Sequence, residues 1–270
     1  MFGIEFLPQN PHADTRQLLA MINGARAYLN QKVDYVLIPA NPRNKASVNA
    51  LLGAYAMRKN LQENMQENMI ESTIECVPTI SGAGLDELHL MSQILTLKYA
   101  GFESVALIGG GGDECGIKLI QLAREILGGG VQIISGSAVE IWEKDKEQRL
   151  IKKLQSGVDR IITQPIFDTH TARRYIEHFA LLQGRCHTRV EVSLGVFGVF
   201  HLKSAYRINE AHLGFEIPRG YITALEAGRA MEIFYTLWEE MQALAREYQV
   251  SLYLSTPKHN DLRAYGNESC

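Results

Sequence analysis

Short runs of aliphatic and β-branched residues alternate along this chain with longer stretches whose apolar positions recur every three to four residues. The short runs predict strands, which pleat with a period of two, and the longer ones predict amphipathic helices. Phe2 to Phe6 reads as a first strand, followed by a helix from about Asp14 to Leu29 with Leu18, Leu19, Met21, Ile22 and Ala25 at helical spacing. Tyr35 to Ile38 is a second strand, ended by Pro39, and Ser47 is placed to cap a helix reaching Lys59. A third strand, Glu75 to Ile80, precedes a helix from Asp86 to Tyr99. The fourth, Ser104 to Ile108, empties into a glycine run ahead of a helix that Gly128, Gly129 and Gly130 terminate after Leu127. Val131 to Ile134, Asp159 to Thr163, Arg189 to Val196 and Val250 to Leu254 complete the strands, with a helix from Thr169 to Leu182 after the sixth and two helical stretches after the seventh.

Eight strands, each with a neighbouring helix, in 270 residues predict an α/β architecture: one (β/α)8 TIM barrel forming a single domain over residues 1–270. No Pro/Ser-rich linker divides the chain, and no Rossmann fingerprint supports a doubly wound sheet. The tandem Gln62-Glu63-Asn64-Met65-Gln66-Glu67-Asn68-Met69 is polar and reads as a surface helix end or loop.

Composition narrows the function classes. At 46% hydrophobic and 21% charged the chain can build a substantial core. Its net charge of −3 and the absence of a Lys/Arg cluster argue against a nucleic-acid partner. The densest charge run, Glu143 to Glu147, mixes signs and reads as a solvated face. No apolar stretch approaches the roughly 18 to 20 residues of a membrane span, and Met1 to Glu5 lacks the basic start of a signal peptide, so no membrane association is expected. Cys76, Cys115, Cys186 and Cys270 are scattered without a CxxC, which predicts reduced thiols in a cytoplasmic protein. The histidines are equally dispersed: Cys186-His187 reads as an exposed loop pair, and His178 and His259 have no partner at ligand spacing, so no metal site is expected.

In a TIM barrel the chemistry sits at the C-terminal ends of the strands. Those positions offer Glu5 and Gln9, Asn41 and Arg43, Thr79 and Ser81, the glycine run with Asp113, Ser135 and Ser137, Gln164 and Asp168, and Ser255, Thr256 and Lys258. Glu5 stands between Ile4 and Phe6, so its side chain faces the barrel interior. A carboxylate there is costly unless paired, which suits either a general acid or a structural ion pair. Gln164 both donates and accepts, as reading the edge of a heterocycle requires; it could equally cap a loop carbonyl. Asp168 precedes a helix and is either a ligand contact or an N-cap for Ala172 and Arg173. Gly109, Gly110, Gly111 and Gly112 ahead of a helix form a plausible anion cradle, though no Gly-Lys-Ser/Thr follows as in a Walker A loop.

With these residues laid out, the chain resembles the methylenetetrahydrofolate reductase family, single-domain bacterial type, over nearly its whole length. The likeness rests on Ile4-Glu5-Phe6-Leu7-Pro8, on Ile161-Ile162-Thr163-Gln164-Pro165-Ile166-Phe167-Asp168, on Leu150 to Asp159, and on Gly195-Val196-Phe197 with Ile217-Pro218. The resemblance implies a flavin barrel in which NAD(P)H reduces FAD and the flavin passes hydride to methylenetetrahydrofolate in one-carbon metabolism. It places the family's general acid on Glu5, its pterin-contacting glutamine on Gln164 and a flavin-site lysine on Lys153. It departs at Pro39-Ala40-Asn41-Pro42, at Pro78-Thr79-Ile80-Ser81-Gly82, at Leu107-Ile108-Gly109-Gly110 and at Gly136-Ser137-Ala138-Val139-Glu140, where flavin-site histidine, arginine and aspartate positions are replaced.

The expectation is therefore a methylenetetrahydrofolate reductase-like enzyme. Glu5 is the catalytic residue and Gln164, Asp168 and Thr79 contact substrate. Lys153, Gly109, Gly110, Gly111 and Asp113 contact the cofactor. The alternative is a flavin-free relative that binds folate for one-carbon transfer or serves as partner subunit of a reductase. In either case a homo-oligomer or a partner subunit is expected.

Overall fold

In the computed structural model the strands are β1 (Phe2–Glu5), β2 (Tyr35–Ile38), β3 (Glu75–Ser81), β4 (Ser104–Ile108), β5 (Gln132–Ser137), β6 (Arg160–Pro165), β7 (Glu191–Phe197) and β8 (Ser251–Ser255). They are parallel and close in chain order, each bonded to the next and β8 back to β1. The structure describes residues 1–42, 45–66, 74–109 and 113–266, with the backbone alone at 65, 66, 113 and 114.

The helices ring the outside: α1 (Asp14–Tyr28), α2 (Ala50–Gln66), α3 (Glu87–Tyr99), α4 (Asp113–Leu127), α5 (Lys144–Gln155), α6 (Thr169–Cys186), α7 (Leu202–Glu210), α8 (Arg219–Glu226) and α9 (Ala230–Tyr248). The expected (β/α)8 barrel is thus what forms. The segment between β7 and β8 carries three helices where the periodicity predicts two, because Gly228 at φ +73° breaks one apolar run into α8 and α9. Ser47 does not cap α2. Its hydroxyl and amide bond Asn41 instead, and Asn49 Oδ1 accepts from Leu52 N at 3.1 Å. The polar tandem extends α2 as far as Gln66; its remainder lies outside the described residues.

Pleating sorts the strand residues into two cores. One parity (Ile4, Val36, Val105, Ile133, Ile161, Leu194, Leu254) packs outward against the helices. The other (Tyr35, Leu37, Val77, Ala106, Ile134, Tyr253) fills the barrel interior. Gly3 is required at its inward position, because a Cβ there would lie 2.0 Å from the Tyr35 ring. The N-terminal end of the barrel is plugged. Arg160, 2% exposed, donates from Nε and Nη2 to Glu191 Oε2 at 2.9 and 2.5 Å, and its guanidinium lies 5.3 Å from the Tyr35 ring centroid.

Candidate functional site

Closure of the barrel makes β1 and β8 neighbours, and this brings Glu5 to Tyr253. Gly3 pairs with Tyr253 in register, so both side chains project inward near the mouth. The Tyr253 hydroxyl donates to Glu5 Oε2 at 2.6 Å. The other oxygen, Oε1, is in ion-pair contact with His259 Nδ1. That contact lacks the alignment of a hydrogen bond. The loop carrying His259 is fixed by Asn260, whose carboxamide bonds both Leu7 N (2.8 Å) and Leu7 O (2.9 Å). Burial first, and the Glu5 charge second, hold the Tyr253 and Tyr265 hydroxyls above the ordinary phenol range. Tyr253 therefore remains a donor to Oε2, while Oε1 faces the His259 ring.

Gln164 arrives from β6 at an irregularity. The β6–β7 register shifts between Ile162 and Pro165, where Thr163 Oγ1 takes the Gly195 amide at 2.8 Å. A local bulge of this kind re-aims a side chain at a strand end. Gln164 Nε2 donates to Leu213 O at 3.3 Å, so it caps a loop carbonyl as one reading of the sequence anticipates. Its amide also rests on Gly214, where a Cβ would approach Nε2 to 2.7 Å.

Glu5, Gln164, Thr79 and Tyr253 line one cavity of about 300 Å³ at the barrel mouth. Its floor is apolar, from Leu37, Ala106, Ile134 and Ile162, and Ser137 adds a hydroxyl on the β5 side. Thr79 is 5% exposed and its Oγ1 has no hydrogen-bond partner. The hydroxyl oxygen itself is buried behind the wall, so a ligand would pair with it only after the side chain turns toward the cavity.

The other sequence candidates lie elsewhere. Asp168 is exposed and caps α6, accepting from Thr171 N at 2.7 Å and Thr171 Oγ1 at 2.8 Å. Lys153 reaches from α5 to the Gly136 carbonyl at 2.5 Å and is not part of the cavity wall. Gly109 follows β4 outside that wall. Gly110, Gly111 and the Asp113 side chain lie outside the described residues. Ser135 and Ser137 fall inside β5, which runs further than its apolar pattern predicts.

Two residues were not legible as site residues. Tyr253 has the inward parity of β8, a signal that becomes readable once β8 is paired with β1. His259 lies in the loop after β8 and has the Glu5 carboxylate as partner, a contact between residues far apart in sequence. Among the described residues no cluster of three or more His, Cys, Asp and Glu could hold a metal, and no helix is long and apolar enough to cross a membrane.

No protein-family model matches the chain, and no curated protein matches it in sequence. Solved structures do share its fold. One is an uncharacterized protein from Clostridium thermocellum that binds two copies of 5-methyl-5,6,7,8-tetrahydrofolic acid, with TM-score 0.66, 12% identity, 98% of this chain and 91% of that one covered. Phosphonopyruvate hydrolase follows, with TM-score 0.51, 11% identity and coverage of 98% and 78%. So does 2,3-dimethylmalate lyase, of the PEP mutase/isocitrate lyase superfamily, with TM-score 0.50, 13% identity and coverage of 96% and 76%. These findings overturn the resemblance to the methylenetetrahydrofolate reductase family: the segments that carry it are strands with their ends and the close of α5, elements that unrelated barrels can share through common geometry. At these identities what the neighbours establish is the barrel itself.

Proposed function

We propose that this barrel binds a reduced folate through its pterin ring, without a flavin, and serves transfer of the one-carbon group that such a ligand carries. The observation that carries this reading is the convergence of Glu5 and Gln164 on one cavity. A pterin edge presents N–H donors beside carbonyl and ring-nitrogen acceptors. Glu5 supplies a carboxylate with lone pairs beyond the one that accepts from Tyr253, and Gln164 supplies both a donor and an acceptor. The apolar floor takes the flat face of the ring. The fold it shares over nearly its full length with a protein that binds 5-methyltetrahydrofolate adds support.

Size and charge favour the flavin-free form. A cavity of about 300 Å³ suits one bicyclic ring, at the lower end of the roughly 300–1,000 Å³ of ligand pockets. Among the described residues the cavity wall includes no lysine or arginine to meet the phosphates of FAD.

Titration calorimetry with 5-methyltetrahydrofolate tests the reading. The purified protein is expected to be colourless and to bind the ligand saturably. Glu5→Gln and Gln164→Ala should each weaken binding by about tenfold or more, the scale of losing a hydrogen bond to a charged or buried partner. Absence of binding, or a yellow protein that releases FAD, would overturn it.

A further inference from the structure

A second hollow, of about 400 Å³, lies beside the mouth cavity between the loops that follow β2 and β3. Ala40, Thr79 and Ser81 line both, so the two adjoin across the end of β3. We propose that this groove is the seat of an aryl-amide extension on a ligand whose ring occupies the mouth: for a folate, the p-aminobenzoyl amide. The inference rests on the folate reading and assigns that ligand's direction of exit.

The wall chemistry selects this segment. Val48, Leu51 and Leu85 offer an apolar surface for a flat ring. Asn41, Asn49 and Gln93 offer carboxamides, each able to donate and accept as an amide bond requires. Among the described residues the groove includes no lysine, arginine or histidine, so a ligand's carboxylates are left to solvent at its outer end. Thr79, in the wall shared by both hollows, stands where ring and extension would join, with its Oγ1 buried and unpartnered behind that wall. Asn41, at φ +45°, and Ser47 bond each other reciprocally, which fixes Asn41 on the groove wall.

The test compares 5-methyltetrahydrofolate with a tail-less reduced pterin, 6-methyltetrahydropterin, by calorimetry. The wild-type protein should bind the whole folate at least tenfold more tightly than the pterin. Ala83→Trp, which fills the groove from a position outside the mouth cavity, should bring that ratio close to one. Val48→Trp, at a position 40% exposed, makes the same test should Ala83→Trp fail to fold. Equal affinities of the wild type for both ligands, or a ratio unchanged in the folded Trp variant, would overturn the groove assignment while leaving the mouth reading intact. Failure of the wild type to bind either ligand would remove the folate reading and this inference together.

Discussion

The Tyr253 hydroxyl stands 2.6 Å from Glu5 Oε2, across the seam where the last strand meets the first. The contact joins residues at opposite ends of the chain, so it forms only when the barrel closes. It therefore reports on closure and on the state of the candidate site at once. Both groups are largely buried: the Glu5 side chain is 14% exposed and Tyr253 6%.

Tyr253→Phe removes the donor and keeps the ring. A hydrogen bond to a charged group is worth about 1.5–3 kcal/mol, and the variant should lose stability on that scale. A double-mutant cycle with Glu5→Gln, read from urea midpoints, isolates the pairwise part. A Phe variant within about 0.5 kcal/mol of wild type would mean that water or His259 replaces the phenol without loss.

Thr79→Val tests whether the unpaired hydroxyl waits for a ligand. Removing a buried polar group that has no partner should leave the free protein as stable or stabilise it by roughly 1 kcal/mol. The same change should weaken folate binding severalfold. If binding is unaffected while stability rises, Thr79 is a packing residue and the wall it shares between the two hollows is incidental.

The fold was legible in the chain because a closed barrel is built from two local periods. Inward and outward strand positions follow from alternation, as Glu5 between Ile4 and Phe6 illustrates, and the helices from apolar spacing. What depended on chain closure was not legible: the partners of Glu5 come from β8 and the loop beyond it, about 250 residues away, and no spacing rule links them. Asp168 was readable both as cap and as ligand contact because a helix N-terminus demands the same residue type as an anion-facing site; the structure gives it the cap. The family likeness misled for a related reason. Motifs such as Thr163-Gln164-Pro165 encode a strand end and its bulge, which is geometry before it is chemistry.

Gly214→Ala probes Gln164 from behind. Gly214 sits at φ +84°, where a side chain is strained, and its new Cβ would lie 2.7 Å from Gln164 Nε2. The backbone effect alone should cost about 1 kcal/mol. Displacement of the carboxamide should in addition weaken ligand binding, whereas Gly228→Ala, also at positive φ (+73°) but with nothing within 4 Å, should lower stability without touching affinity. Equal affinities in the two variants would detach Gln164 from recognition.

Alkaline pH should unfold this barrel from within. Tyr35, Tyr175, Tyr221, Tyr253 and Tyr265 all keep their protons above the ordinary phenol range, chiefly because burial disfavours the phenolate. In the unfolded chain a tyrosine ionises at about 10. Between that value and the raised folded values the native state binds more protons than the unfolded one, so stability falls as pH rises. The contribution is complete below the unfolded value and is lost progressively above it. Cys76, whose thiol burial pushes up to about 12, adds to the same slope from the ordinary thiol range onward. Urea midpoints should hold steady through neutral pH and drop steeply beyond about 10. Phenolate absorbance from the five buried rings should then appear together with the loss of helical circular dichroism. All tyrosines titrating in one phase near 10 with the dichroism retained would show instead that solvent reaches these buried hydroxyls in the folded state.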